Sequence, residues 1–140
     1  MENYFWCIGG GILQVPLIQE LRKFDLKVIV TDGDAECICH QLADTFNKID
    51  IHDAHGHIEW AKKLRKKLNI VGVLAAGIDA PVTMSKLAEF LKLPGVPSHI
   101  SEIVHYKSKF RDFCASNDIE TPGYKAFRIG EWDLLREHCD

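Results

Sequence analysis

The chain has 140 residues, which suits one compact domain, or one domain with part of a second. Hydrophobic residues make up 46% and charged residues 26%, an ordinary globular composition that excludes a disordered, collagen-like or coiled-coil chain. The formal net charge of -3 gives no basic excess of the kind typical of nucleic-acid binding, and no apolar stretch approaches the length that crosses a bilayer.

The first part of the chain predicts strands around one helix. The short apolar run 4–8 predicts a buried strand that three glycines end. Apolar side chains then recur at helical spacing and predict a helix: Leu13, Leu17, Leu21 and Phe24. A second strand is predicted over 28–30 and ends at Asp32-Gly33-Asp34. A loop follows to about Leu42, and the run 46–51 predicts a weak third strand.

Two more helices with a strand between them follow. The apolar positions of the first helix share one face and leave a lysine-rich outer face to solvent: Ile58, Ala61, Leu64 and Leu68. The run 70–75 predicts a strand. Asp79 is expected to cap the next helix, with Pro81 in its first turn. The inner face of that helix is predicted to hold Met84, Leu87, Ala88 and Leu91.

Apolar strands that alternate with helices predict parallel pairing with helices on both faces of the sheet. The predicted fold class is therefore α/β, a doubly wound (Rossmann-like) parallel sheet that ends near Ser98. After it, one or two helices, an extended segment, a strand and a helix are predicted over 100–117, 119–122, 124–129 and 132–138. Because some forty residues bury too little surface for a core of their own, 99–140 is interpreted as the opening of a second, truncated domain.

The five cysteines are an odd number without the spacing of a disulfide framework. No basic segment precedes an apolar one at the N-terminus, so no signal peptide is predicted, and we expect reduced thiols in the cytoplasm. Two short clusters contain residue types that bind metals: Cys37, Cys39 and His40, and His52, His55 and His57. Neither supplies the two ligand pairs typical of zinc, so no metal site is predicted and the role of these six residues stays open.

A ligand site is predicted where the strand order reverses. Ligands of doubly wound sheets bind beyond the carboxyl ends of the strands at that point, where the first strand and the strand over 70–75 are expected to be neighbours. The loops that follow them precede helix N-termini, which favour an anion, and their glycines let the backbone approach it. We therefore predict a site for a phosphate or carboxylate of a small molecule. Its predicted residues are Gly9, Gly10, Gly11, Asp32, Gly77 and Asp79.

A dinucleotide-binding domain is an alternative. Gly9-x-Gly11 followed by Asp32 is similar to the NAD(P) fingerprint, in which an acidic residue about 20 positions further on binds the ribose. Gln14 stands at the third glycine position, which normally allows close packing beside the pyrophosphate. Asp32 is then interpreted as ending the strand or touching a polar ligand group. The chain contains neither a nucleophile elbow nor a P-loop.

Three stretches, in this order and spacing, resemble the N-terminal part of ATP-grasp ligases. This superfamily includes the carbamoyl-phosphate synthase large chain, biotin carboxylase and the purine-pathway carboxylate–amine ligases. The stretches are 9–18 with 28–32, 76–83 with 93–98, and Lys107-x-x-x-Arg111 followed by Ile119 and Pro122. Asp118-Ile119-Glu120 stands in place of the Gly-Ile-Pro of the family, and Tyr106 stands where many relatives have Asp. Because of the second departure, Lys109 is an alternative to Lys107 as the residue that matches the lysine of the family motif.

The resemblance implies that 1–98 form a pre-ATP-grasp domain that helps to hold a substrate. It implies that 99–140 begin an α+β ATP-grasp domain in which Lys107 contacts the phosphates of ATP. The alternative interpretation is that Lys107 is an ordinary exposed lysine. In the family, ATP phosphorylates a carboxylate or bicarbonate, and an amine or similar nucleophile then displaces the phosphate, with Mg²⁺ screening the charge. The Mg²⁺ ligands lie further along in relatives, so no catalytic residue or metal ligand is expected here, and the chain alone is expected to be inactive.

The expected partners are a small-molecule carboxylate or phosphate-bearing substrate and the remaining ATP-grasp domain, in cis or in trans. No nucleic-acid or membrane partner is expected. The sequence does not decide whether the chain forms a homodimer. A third interpretation is a non-catalytic binding subunit of a split enzyme, whose apolar surface near Phe127 and Trp132 would meet a partner.

Overall fold

A computed structural model describes residues 2–139 of the chain, with side chains for residues 2–137. The chain divides into two compact units, Met1–Glu102 and Ile103–Asp140. The division falls within a helix that begins at Ser98, the residue at which the sequence predicts the first domain to end, and runs to His105.

The first unit is built on a four-stranded parallel sheet in the order β3-β2-β1-β4. Its strands are β1 (Asn3–Ile8), β2 (Lys27–Asp32), β3 (Thr45–Lys48) and β4 (Asn69–Leu74). The first three strands step away to one side, while β4 pairs with the other side of β1 and forms one edge of this sheet. The strand order therefore reverses between β1 and β4, as the sequence predicts, and we call this place the switch point.

Four helices begin in the first unit: α1 (Val15–Lys23), α2 (Ala54–Leu64), α3 (Pro81–Leu91) and α4 (Ser98–His105). Two short 3-10 turns, Ile12–Gln14 and Ile38–Leu42, precede α1 and β3 respectively. The prediction that Asp79 is the cap residue of α3 is wrong, because Ala80 holds the cap position. Pro81 does open α3, where its missing N–H costs nothing.

Hydrophobic side chains are buried on both faces of the sheet, because successive residues of a strand point to opposite sides. One cluster packs against α2 and α3 and contains Trp6, Ile8, Ile29, Ala61, Ala80 and Leu87. The other cluster lies on the α1 side and contains Cys7, Ile18, Leu21, Val28, Val30 and Cys39. Burying each large aliphatic side chain contributes about 1.5–3 kcal/mol. The predicted α/β class with helices on both faces is confirmed.

A chain of buried polar groups links β1, β2 and α2. Trp6 Nε1 donates to Thr31 Oγ1 over 3.0 Å, and His57 Nε2 lies 2.9 Å from the same hydroxyl. His57 Nδ1 lies 2.8 Å from the carbonyl oxygen of Asp53, which can only accept, so Nδ1 carries the proton and Nε2 accepts from Thr31. Burial lowers the pKa of His57 and keeps the ring neutral. His57 is therefore a core residue of the fold.

The second unit contains α5 (Lys107–Ser116), an irregular segment, and α6 (Trp132–Cys139). The strand predicted over 124–129 is wrong, because the described part of this unit contains no second strand with which it could pair. Several apolar side chains of the unit are exposed: Phe110, Phe113, Ile129, Trp132 and Leu134. Within residues 2–139, no helix has both the length and the apolar character needed to traverse a bilayer.

Candidate functional site

The two predicted ligand loops leave the sheet side by side. β1 and β4 pair with Cys7 opposite Leu74, so residues 9–11 and 75–80 emerge from adjacent strand ends. Gly9 has φ +88° and Gly77 has φ +67°, backbone conformations that favour glycine. The structure thus brings together the glycines of both loops at the switch point.

Gln14 connects the two loops. Its side chain is only 1% exposed, and Nε2 donates to the carbonyl oxygen of Ala76 in the second loop. From the sequence, Gln14 is notable only for standing at the third glycine position, and this role was not predicted. One feature of the sequence could have indicated this role. Gln14 is the one polar residue in the apolar run that follows the glycines, where a doubly wound fold brings the chain close to the sheet. We define the switch-point site as residues 9–11, Gln14, Asp32 and 76–79.

Asp32 contacts the first loop directly. Its Oδ2 atom accepts from the N–H of Gly10 over 2.6 Å, and Oδ1 accepts from the N–H of Asp34 over 2.8 Å. The N–H of Gly9 donates to the carbonyl oxygen of Thr31 over 2.7 Å. Asp32 therefore ends β2 and fixes the glycine loop against that strand at the same time.

The 3-10 turn Ile38–Leu42 closes the other side of the glycine loop. The N–H of Cys39 donates to the carbonyl oxygen of Gly10 over 2.9 Å, and the Cys39 thiol donates to that of Gly11 over 3.3 Å. A Cβ atom at Gly10 would collide with Sγ of Cys37, so the close approach of this turn requires glycine.

The thiols around the loop are protonated. Burial raises the pKa of Cys37 and of Cys39, and burial together with the nearby Cys39 raises the pKa of Cys7 to about 12. A protonated thiol is a poor nucleophile, so these cysteines serve in packing, and Cys39 also donates a hydrogen bond to the glycine loop. In the part of the chain with described side chains, no group of three or more His, Cys, Asp or Glu residues is arranged to hold a metal ion.

The two loops reach their helices differently. The first loop leads into the 3-10 turn Ile12–Gln14, which continues directly into α1. The second loop carries Asp79 and leads directly into α3, whose eleven residues begin without a side-chain cap. The cap residue Ala80 has no side-chain acceptor, and the helix dipole favours negative charge at this end of α3.

Lys107 opens α5 in the second unit and lines a cleft of about 310 Å³. The cleft is lined by Lys107, Ser108, Arg111, Tyr124, Lys125 and Ala126. The Tyr124 hydroxyl donates to Asp112, which holds the irregular segment against α5 and raises the pKa of Tyr124. Lys109 is not among the lining residues, and its ammonium lies 4.9 Å from the centre of the Tyr106 ring. Three cationic residues, Lys107, Arg111 and Lys125, thus line the cleft.

Three solved structures of ligases or synthetases have a similar fold. Phosphoribosylglycinamide synthetase from Anaerococcus prevotii matches 98% of this chain with a TM-score of 0.73 and 20% identity. L-amino acid ligase from Bacillus licheniformis matches 91% with a TM-score of 0.70 and 21% identity. N5-carboxyaminoimidazole synthetase from Staphylococcus aureus, complexed with ADP, matches 98% with a TM-score of 0.66 and 17% identity.

The chain spans only about a third of these structures, namely 35%, 33% and 36% of their lengths. No protein-family model matches the chain, and no curated protein sequence matches it. These structures share the fold of this chain, so the resemblance drawn from the sequence is confirmed at the level of the fold.

Proposed function

We propose that this chain is the N-terminal portion of an ATP-dependent ligase of the ATP-grasp superfamily. The observation that supports it best is the meeting of two glycine loops at the switch point of a fold shared with such ligases. In this proposal an acyl-phosphate forms from a carboxylate or bicarbonate, and an amine or similar nucleophile then displaces the phosphate. Residues 1–98 form the pre-ATP-grasp domain and 99–140 begin the ATP-grasp domain.

The switch-point site is proposed to hold a small-molecule substrate that bears a carboxylate or phosphate. The loops that contain Gly9 to Gly11 and Gly77 to Asp79 line the site, and Asp32 fixes the first of them. The first turn of α3 supplies backbone N–H groups for the anionic part of the substrate. These residues bind and orient the substrate, and none of them is proposed to take part in covalent chemistry.

The cleft on α5 is proposed to contribute to ATP binding through Lys107. Lysine and arginine are the side chains that bind phosphate groups, and Lys107, Arg111 and Lys125 line this cleft. Mg²⁺ prefers carboxylate and other oxygen ligands, and the lining residues include no carboxylate. The cleft therefore fits the phosphates of ATP and does not fit Mg²⁺, which we propose is held elsewhere in the full ligase.

Two tests address the ligase itself. An antibody against this chain would give the mass of the native protein in its source cells, where we propose a cytoplasmic location. A product two to three times as long supports a ligase in one chain, and a product of the present size supports a split enzyme or a non-catalytic subunit. The native assembly is expected to release ADP from ATP and Mg²⁺ with a suitable carboxylate and amine, whereas the 140-residue chain alone is expected to release none.

The Lys107 assignment is tested by ATP binding to the native assembly. Lys107→Ala is expected to weaken ATP binding by about tenfold, the effect of losing one charge-assisted hydrogen bond. The matched control is Lys109→Ala, on the same helix but outside the cleft lining, which is expected to bind ATP as before. Equal effects of the two substitutions would contradict the assignment.

A dinucleotide-binding domain is the second candidate, because Asp32 lies beside the glycine loop where such proteins bind a ribose. Against it, Gln14 fills the third glycine position and extends to Ala76. A fluorescence titration with NADH separates the two candidates. Saturable binding would favour the dinucleotide, and its absence would favour the ligase.

A further inference from the structure

The cleft on α5 has walls from two separate stretches of the chain. Lys107 and Arg111 lie four residues apart on α5 and therefore share a side of that helix. Tyr124 and Lys125 line the cleft from the irregular segment that follows α5. Residues 119–128 of that segment form neither helix nor strand, so contacts outside regular secondary structure must hold this second wall in place.

The charges of the cleft oppose its own assembly. Lys107, Arg111 and Lys125 are cationic at neutral pH, and the lining residues include no carboxylate. Like charges on the two walls repel each other, and an anion that binds between them offsets the repulsion. Before an anion binds, the wall that carries Lys125 therefore needs an attractive contact with α5 to stay in place.

Tyr124 makes such a contact. Its hydroxyl donates to Oδ1 of Asp112, and its oxygen lies 3.5 Å from the carbonyl oxygen of Ser108, one turn earlier on α5. The direction of the hydrogen bond is fixed, because an ionised carboxylate can only accept. By accepting this bond, Asp112 raises the pKa of Tyr124, so the hydroxyl keeps its proton at neutral pH.

The contact restrains Lys125 in particular. Lys125 directly follows Tyr124, so anchoring the Tyr124 ring fixes the chain within one residue of this lysine. The ammonium of Lys125 lies 5.4 Å from the centre of the Phe127 ring, a cation–π contact that restrains the side chain further. Asp112 itself is not among the lining residues, so it acts on the cleft through Tyr124.

We infer that Asp112 is a positioning residue, which through Tyr124 holds Lys125 against α5 so that Lys125 joins Lys107 and Arg111 in binding a phosphate chain. The inference rests on the proposed role of the cleft in ATP binding. It adds Lys125 as a phosphate ligand from outside α5, and it gives the Tyr124–Asp112 hydrogen bond the task of assembling the site before the phosphates arrive.

The first test measures the binding of inorganic triphosphate to the 140-residue chain by titration calorimetry at constant ionic strength. Lys125→Ala and Lys107→Ala are each expected to weaken binding about tenfold, because each removes one charge-assisted contact. The matched control is Lys109→Ala, which removes a lysine of α5 outside the cleft lining and is expected to leave the affinity unchanged.

Two variants of Asp112 separate its hydrogen bond from its charge. Asp112→Asn keeps an oxygen that accepts from Tyr124, whereas Asp112→Ala keeps none, and both remove the negative charge. We expect Asp112→Asn to bind triphosphate at least as tightly as the unaltered chain, and Asp112→Ala to bind about fivefold more weakly than Asp112→Asn. Alanine favours the helix more than asparagine does, so unfolding of α5 would not explain that loss.

Tyr124→Phe provides the complementary control. It removes the donor, so triphosphate is expected to bind more weakly, and the difference between Asp112→Asn and Asp112→Ala is expected to vanish when either is combined with it. Tyrosine labelled with ¹³C at Cζ reports the hydroxyl directly at neutral pH. The Tyr124 signal, identified by its loss in Tyr124→Phe, is expected to move further in Asp112→Ala than in Asp112→Asn.

The contrary outcomes are distinct. Equal triphosphate affinities of Asp112→Asn and Asp112→Ala would overturn the inference, and so would unchanged binding by Lys125→Ala. If Lys107→Ala still weakens binding in those cases, the proposed role of the cleft stands without the positioning contact. Failure of the unaltered chain to bind triphosphate would overturn the proposed phosphate site, and the inference with it.

Discussion

At the scale of single residues, the switch-point site depends on side chains that touch the loops from behind. Gln14 fixes the distance between the two loops, Asp32 fixes the glycine loop to β2, and the turn that carries Cys37 and Cys39 closes the far side. The geometry of the site is thus determined by contacts within the protein.

Replacing Gln14 with alanine is expected to lower the free energy of unfolding by about 1–3 kcal/mol, because the Ala76 carbonyl loses its buried donor. Urea unfolding measures the change. The control is Gln19→Ala, an exposed glutamine on α1, which is expected to change stability by less than about 0.5 kcal/mol. A Gln14 variant as stable as the Gln19 variant would show that the contact contributes nothing.

Gly10→Ala is expected to cost about 1–3 kcal/mol, because the new methyl group collides with Sγ of Cys37. The double variant with Cys37→Ala removes that sulfur atom and is expected to recover most of the loss, whereas Gly33→Ala, which meets no atom closer than 3.7 Å, is the neutral control. Denaturant unfolding of five proteins tests this: the unaltered chain, the Gly10→Ala, Cys37→Ala and Gly33→Ala variants, and the double variant. Simple additivity of Gly10→Ala and Cys37→Ala would rule out the collision as the cause.

At the scale of secondary structure elements, the buried chain from Trp6 through Thr31 to His57 ties β1, β2 and α2 together. Every polar atom in it has a partner only while the imidazole is neutral, since Nε2 must accept from Thr31. The protonation state of one ring is therefore coupled to the packing of three elements.

Stability is expected to fall as the pH decreases below the ordinary histidine pKa of about 6.5. The pKa of His57 is lowered in the folded protein by burial, so below that pH the unfolded chain binds the proton more readily and is favoured. Thermal unfolding from pH 7.5 to 5 measures the slope. His57→Gln is expected to flatten it, and His55→Gln, an exposed neighbour, is expected to leave it unchanged. Equal slopes for both variants would disprove the coupling.

The strands and the long helices follow from local patterns. β1, β2 and β4 coincide with apolar runs, and the inner face of α3 follows the spacing of Leu87 and Ala88 with their apolar neighbours. The alternation over 124–129 is equally regular, but a strand forms only where a neighbour accepts its hydrogen bonds. The meeting of the two loops could be predicted from topology, whereas the Gln14 and Cys39 contacts depend on tertiary packing that no local pattern records.

At the scale of the whole molecule, the two units differ in how completely they bury their apolar residues. The first has two buried clusters around its sheet, while the second leaves Ile129 98% exposed and Trp132 57% exposed. Contiguous exposed apolar surface on a protein marks a contact region. We expect it to meet the rest of the proposed ATP-grasp domain.

Binding of the dye anilinonaphthalene sulfonate is expected to be strong on the isolated chain and to fall when Ile129→Ser and Trp132→Ser are combined, because the dye reports exposed apolar surface. Phe24→Ser is the control, since this residue is 74% exposed but belongs to the first unit. A larger loss of dye fluorescence with Phe24→Ser than with the combined variant would place the main apolar surface elsewhere.

The position of β4 at the edge of the sheet has a consequence for how the site is lost. Only β1 pairs with it in the described sheet, so local opening of β4 requires fewer bonds to break than unfolding of β1 or β2. Its amides are therefore expected to exchange with deuterium faster than those of the central strands. Each such opening detaches the second loop from the first while the rest of the sheet stays folded. A bound ligand would slow that exchange, and β4 would act as the most sensitive reporter of occupancy.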